Sequence, residues 1–287
     1  MTRRALPLLA VLCAACASLP ITRGEPTYDD GEARAASHDN GDAPSAAERE
    51  ARLAETIAEA RAAVPLSPSI APPRDEDARR VWQAALDARG RRIVISREAR
   101  ALWLVDDEGV AFRAPVAVGK QEPFEYRGER YDFTTPIGRR KVLAKGTDPL
   151  WAPPDWHYFE IAAHQDLEPV HLEKGSRIEL SDSTVIEVRG SEVGRINRFG
   201  NFWPFTPGNE IIFDGKVFIP PFGTSQRRIP EVLGTHKLEL GDGYLIHGTN
   251  ANNSIGDAVS HGCVRMFNED VAWLFDTVGV GTTVYVY

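Results

Sequence analysis

The run Ser260-His261-Gly262-Cys263-Val264-Arg265-Met266 carries the thiol that stands alone once an N-terminal leader is removed. Upstream, the run Tyr244-Leu245-Ile246-His247-Gly248-Thr249 ends an apolar stretch on a second imidazole. A lone cysteine in an exported chain has no partner for an internal disulfide, so it is either idle or chemically employed. The thiolate is the nucleophile, and a neighbouring imidazole can take the thiol proton and later return it to a leaving amine. Spacing alone leaves either His247 or His261 as that base. Gly248 lets the backbone approach closely and offers a carbonyl to orient the ring. Gly262 removes side-chain bulk where its own amide and that of Cys263 could face a developing oxyanion. In an extended chain Arg265 falls on the same side as Cys263, suited to a substrate carboxylate.

The leader is read from residues 1–17. Arg3 and Arg4 precede the apolar run Ala5–Ala17, which is too short for a permanent membrane span and fits a secretory signal. Cleavage after small residues near Ala17 gives a soluble periplasmic product. Alternatively, Val11–Cys16 resembles a bacterial lipobox, with Cys16 lipidated as the new first residue and Cys13 standing where that pattern prefers leucine. The expected location is the bacterial envelope or periplasm, with membrane attachment through lipid on Cys16. Losing Arg3 and Arg4 takes the formal charge from −8 to −10. With no dense Lys/Arg stripe against that balance, nucleic acid is excluded as a partner.

Residues 18–90 read as a tether with short helices. The stretch 20–44 lacks the apolar clusters that offset ordering entropy. Ser45 and Glu48 have capping-box spacing at the head of an Ala-rich helix to Val64, whose thin apolar face suits a solvated spacer. Prolines between Pro65 and Pro73 break it, and Asp77–Ala88 is a second helical stretch. From Arg91 the texture is mainly β with few helices. Strands are expected at Arg92–Ser96, Ala101–Val105 and Val110–Val118. Asp214-Gly215 and Gly241-Asp242-Gly243 read as hairpin turns. Asn268 is placed to cap a helix carrying Val271, Leu274, Phe275 and Val278, and Thr282–Tyr287 reads as a last strand.

Taken together, His247-Gly248-Thr249 and Ser260–Arg265 resemble the active-site signature of the L,D-transpeptidase catalytic domain, the YkuD family. The segments PVAVGK (115–120), TTPIG (134–138), PLWAPP (149–154) and the ending GTTVYVY agree with it. The resemblance implies a catalytic domain over 91–287, a mainly β sandwich or partly open barrel. It implies Cys263 as nucleophile, His247 as base, Gly248 as the orienting carbonyl, and Ser260, His261 and Gly262 as the oxyanion loop. Arg265 holds the substrate. The reaction it implies is attack on a peptidoglycan stem tetrapeptide, loss of the terminal D-alanine, and transfer of the acyl group to an amine on another stem or an envelope protein. No cofactor or metal is called for.

Residues 157–229 depart from the family, whose core has a shorter link there. This β-rich insertion contains Phe199, Phe202, Trp203 and Phe205, which either roof the groove or form a small core of their own. Three rival functions remain. Water as acceptor would give a carboxypeptidase, a dead groove would give a cell-wall-binding lipoprotein, and His247, His261 and Cys263 could in principle hold zinc.

Overall fold

The computed structural model describes residues 46–63 and 69–287. The leader, Cys16, the stretch 20–44, the Ser45 cap and the prolines at 65 and 68 lie outside the described residues. Two helices come first, α1 (Ala46–Ala63) and α2 (Glu76–Asp87). They are followed by β1 (Arg92–Ser96), β2 (Ala101–Val105), β3 (Val110–Pro115), β4 (Val118–Gly119), β5 (Phe124–Tyr126), β6 (Glu129–Tyr131), β7 (Gly138–Lys141) and β8 (Ala144–Thr147). Next come α3 (Asp155–Gln165), β9 (Glu168–His171), β10 (Arg177–Glu179), β11 (Val185–Arg189), β12 (Glu192–Ile196), β13 (Phe202–Pro204), β14 (Ile211–Phe213) and β15 (Lys216–Ile219). The chain ends with β16 (His236–Gly241), β17 (Tyr244–His247), β18 (Ala258–Ser260), β19 (Val264–Arg265), α4 (Asn268–Thr277) and β20 (Thr283–Val286).

The architecture is mostly β, with four α-helices among the described residues, and its sheets do not close into a barrel. One sheet has the order β3-β2-β1-β20-β7, and a second has the order β19-β17-β16-β8. Ile93, Leu102, Leu104 and Val284 of the first meet Leu238, Leu240, Ile246 and Val264 of the second, and Val271 and Leu274 of α4 close the same core. The first sheet is buried on both faces, because Val94, Trp103 and Tyr285 on its other side meet Ala78 and Ala85 of α2. That double cover explains why β1 and β2 are buried at every position and carry no polar alternation. Asp75 accepts from the Ala78 amide at 2.8 Å and starts α2.

α2 is thus part of the packed domain, and so is α1. The expected solvated spacer buries Ile57 against Ala117, Ile255 and Phe267. The sequence pattern showed a thin stripe but not the surface that receives it. The expected strand Val110–Val118 divides into β3 and β4, with β4 pairing in parallel with β18. Both hairpin turns form with positive φ, at Asp214 and Gly215 and at Asp242 and Gly243. Asn268 does not cap α4. Phe267 precedes the helix without a side-chain cap bond, and the Asn268 side chain bonds elsewhere.

Within 157–229 the strands form two small sheets, β10-β11-β12-β13 and β14-β15-β9. Their core is aliphatic (Leu172, Leu180, Ile186, Val188, Val193, Ile211) with Phe218, and Phe205 packs against it. Phe199 is 84% and Trp203 59% exposed, and Phe202 lies under the Arg189 guanidinium at 4.4 Å. Of the four aromatics, only Phe205 joins that core. The strand faces bury the aliphatic residues, while Phe199 in the β12–β13 connection and Trp203 on β13 face solvent.

Candidate active site

β17 and β19 run parallel with Ile246 opposite Val264 and His247 opposite Arg265. Side chains alternate along a strand, so Ile246 and Val264 enter the core while His247 and Arg265 share the other face. Cys263 directly precedes this register, and the alternation of an extended chain would put it on the side of Arg265. The partly buried thiol donates to the Gly243 carbonyl at 3.8 Å.

His247 is buried, and its Nδ1–H donates to the carbonyl of Gly248. Burial lowers its pKa to about 4, against the pull of the Gly248 and Leu233 carbonyls and with a further push from Arg265. Burial pushes the Cys263 thiol up, partly opposed by the Leu245 backbone and Arg265. The resting pair at neutral pH is therefore a thiol and an uncharged imidazole. Burial also lowers the pKa of Arg265, while Cys263 opposes that shift.

A glycine at 248 is a packing requirement. A Cβ there would lie 2.1 Å from Asn268 Oδ1 and 3.1 Å from the Gly234 Cα. Asn268 accepts from the Thr235 amide at 3.1 Å and donates to the Thr249 carbonyl at 3.2 Å. It pins the segment carrying the His247 acceptor.

The nucleophile loop is tied from several directions. Ser260 is 1% exposed; its hydroxyl donates to the Cys263 carbonyl at 2.5 Å and accepts from the Gly262 amide at 3.2 Å. The Gly262 amide is thus engaged within the loop, unlike the expected oxyanion donor, because Ser260 folds its hydroxyl under the turn. Gly262 has φ +106° and faces Tyr244, whose ring would lie 2.9 Å from a Cβ. Thr135, from TTPIG, donates to the Gly262 carbonyl at 3.0 Å and accepts from the Gly119 amide at 2.7 Å. The Lys120 amide donates to the Ser260 carbonyl at 2.9 Å. Three separated motifs therefore converge on one loop.

His261 is committed to a different neighbourhood from His247. Its ring stacks on Trp156 at 4.4 Å and meets the edge of Phe133 at 4.6 Å. Its Nε2 lies 2.8 Å from Glu160 Oε2, while Lys120 Nζ donates to Glu160 Oε1 at 2.6 Å. Burial alone would raise the Glu160 pKa. The bonds from His261 and Lys120 outweigh it and bring the carboxyl to about 2. Trp156 and Glu160 both lie on α3. That helix is anchored by Arg227, 2% exposed, which donates to Asp155 at 2.5 Å and to the Pro153 and Pro220 carbonyls at 2.7 and 2.8 Å. The region 157–229 therefore reaches the nucleophile loop through Glu160 of α3. Glu160 carried no sequence signal, whereas Lys120 and Thr135 sit inside the PVAVGK and TTPIG motifs. Among the described residues no group of three or more His, Cys, Asp or Glu side chains could hold a metal ion.

The fold is mostly β, with buried His247 and Arg265 abreast on the paired strands β17 and β19 and Cys263 directly before β19, and a known family matches this chain. The model of the YkuD family, the L,D-transpeptidase catalytic domain, matches residues 90–286. The chain belongs to this family. It is similar to YbiS of Escherichia coli, described as a probable L,D-transpeptidase, at 58% identity over 52 residues, which cover 18% of this chain and 17% of that protein. ErfK/SrfK of Salmonella typhimurium, described in the same words, is 38% identical over 87 residues, covering 25% of this chain and 28% of its own length. The matched stretches thus span well under half of these curated relatives. An L,D-transpeptidase structure from Xylanimonas cellulosilytica aligns over 72% of this chain and 69% of its own, at 20% identity and a TM-score of 0.37.

Proposed function

We propose that this chain is a peptidoglycan L,D-transpeptidase with Cys263 as nucleophile and His247 as general base. The observation that carries the reading is the β17–β19 register, which puts His247 and Arg265 abreast with Cys263 directly before β19. The thiol turns from the Gly243 carbonyl, gives its proton to the uncharged His247 ring, and attacks the carbonyl carbon of the L-to-D bond of a stem tetrapeptide. The tetrahedral intermediate collapses by breaking the C–N bond, and the imidazolium returns the proton to the departing D-alanine nitrogen. An amine then attacks the thioester, and the thiolate leaves as a proton returns to it through His247. The Gly248 carbonyl favours a protonated Nδ1 throughout. With the Gly262 amide held by Ser260, the Cys263 amide is the loop donor available to the oxyanion. Arg265 supplies a fixed positive charge beside the reacting thiol and holds a substrate carboxylate.

The chain is further read as exported to the periplasm, with Cys16 lipidated. The acyl acceptor is an amine of a neighbouring stem or of an envelope protein. The test is incubation with a disaccharide-tetrapeptide and candidate amines, followed by intact-protein and product masses. Wild type gains the mass of the acyl group and Cys263→Ala does not. Turnover at the wild-type rate in Cys263→Ala would sink the assignment. Hydrolysis in place of amine adducts would make it a carboxypeptidase. Fatty-acid labelling that survives Cys16→Ser would refute Cys16 as the lipidated residue.

A further inference from the structure

Between the β5–β6 hairpin and the α3–β9 unit lies an open cavity of about 190 Å³. Its walls include Tyr126, Tyr131, Phe159 and His171, with Arg127 and Glu129 at the exposed end of the hairpin. The Tyr126 and Phe159 rings stack at 5.1 Å and 9°, Tyr131 sits 6.3 Å from Phe159, and Phe159 meets His171 at 6.1 Å. The Arg127 guanidinium lies over Tyr126 at 5.4 Å, and Glu129 accepts from the Tyr131 hydroxyl at 2.5 Å. His171 is held by Asp155 at 3.0 Å.

Three features separate this cleft from ordinary core packing. Tyr126, Tyr131 and Phe159 are only partly buried, whereas Phe133 beside them is 3% and Trp103 1% exposed. The cavity is smaller than the ~300–1,000 Å³ of sites that engulf a whole small molecule, so it suits one ring of a longer ligand. Its chemistry is also divided, with flat apolar ring surfaces and a charged, hydroxyl-bearing rim. A pyranose has the matching division, with C–H groups on its faces and hydroxyls around its edge. The cleft is close to the nucleophile loop, because Tyr131 neighbours Phe133 at 6.5 Å and Phe133 contacts His261 at 4.6 Å.

We propose that this cleft is a glycan subsite, taking a hexosamine ring of the cell-wall strand whose stem peptide enters the Cys263 groove. The proposal rests on the transpeptidase reading for its substrate, but the cleft and its sugar are testable without acyl transfer. α3 then serves two sites, since Phe159 lines the cleft while Glu160, the next residue, holds His261. The hairpin and helix would fix the strand and so the direction from which the peptide reaches the thiol.

The experiment has two arms on the full chain. In the first, an N-acetylglucosamine tetramer is titrated into wild type, Tyr126→Ala and Arg127→Ala by calorimetry. Binding by wild type, weakened about tenfold in either variant, is the expected result for loss of one aromatic or rim contact. In the second, kcat/KM for Cys263 acylation is compared between a sugar-free tetrapeptide and the disaccharide-tetrapeptide. Wild type favours the disaccharide form, and both variants lose that preference through KM while reacting normally with the free peptide. Arg127 is exposed, so its variant decides the matter if Tyr126→Ala fails to fold. Absence of tetramer binding, or a sugar preference unchanged in Arg127→Ala, overturns the subsite. Tetramer binding that is lost in Arg127→Ala, with neither peptide acylating Cys263, keeps the subsite and instead overturns the transpeptidase reading.

Discussion

Replacing Glu160 by glutamine tests how the chain holds its nucleophile loop. The carboxylate uses both oxygens, Oε1 for Lys120 at 2.6 Å and Oε2 for His261 at 2.8 Å. An amide has one acceptor oxygen, so one of these partners would face an NH2 group. The Glu160 side chain is 14% exposed, and its pKa falls from 4.5 to about 2 on folding. At about 1.4 kcal/mol per pKa unit, that shift corresponds to roughly 3 kcal/mol of stability. Because the folded pKa is depressed, this contribution is complete above about pH 4.5 and is lost as the pH falls through about 2. Glu160→Gln should therefore unfold at neutral pH about 2–3 kcal/mol more easily, with Tm lower by roughly 5–10 °C for a domain of this size. Urea denaturation at pH 7, 4 and 3 measures the gap between wild type and variant, which should shrink by more than half at pH 3. A gap constant from pH 7 to pH 3 would refute the charge-based account. The acylation rate should also fall in the variant, since His261 lies two residues from Cys263.

Three further outcomes are expected. Gly248→Ala forces a methyl to within 2.1 Å of Asn268 Oδ1, so it should cost about 1–3 kcal/mol and displace the His247 acceptor; a thermal melt and an acylation assay check it. Arg227→Met leaves Asp155 and two carbonyls without their buried partner and should cost about 3–5 kcal/mol in urea denaturation, with Arg227→Lys restoring little. Iodoacetamide should alkylate Cys263 slowly at pH 7 and faster with each rise in pH through and beyond the usual thiol range, because burial raises the thiol and lowers His247 to about 4. A rate already at its plateau by pH 6 would instead indicate a resting thiolate–imidazolium pair.

Local chemistry made much of the molecule legible in advance. Asp214-Gly215 and Asp242-Gly243 are turns because those residues tolerate positive φ, and both hairpins form there. The Asn268 cap failed because a side-chain amide next to Gly248 found better-placed partners in Thr235 and Thr249 than in its own helix. The aromatic group at 199–205 misled for a similar reason. Composition records that rings are present, while the neighbouring strands decide which of them is covered.

The sequence alone determined the family, through a thiol in its motif, an imidazole at the end of an apolar strand, and an arginine two residues beyond the thiol. It also determined β1, β2 and both turns, whose causes lie within a few residues. Tertiary structure alone decided that His247 is buried and that His261 is held by Glu160, the latter a contact between residues 101 apart in the chain. It alone brought Thr135 to Gly262 across 127 residues, and α1 and α2 onto the domain. Such contacts depend on the packing of whole sheets and helices, so no local pattern of residue types records them.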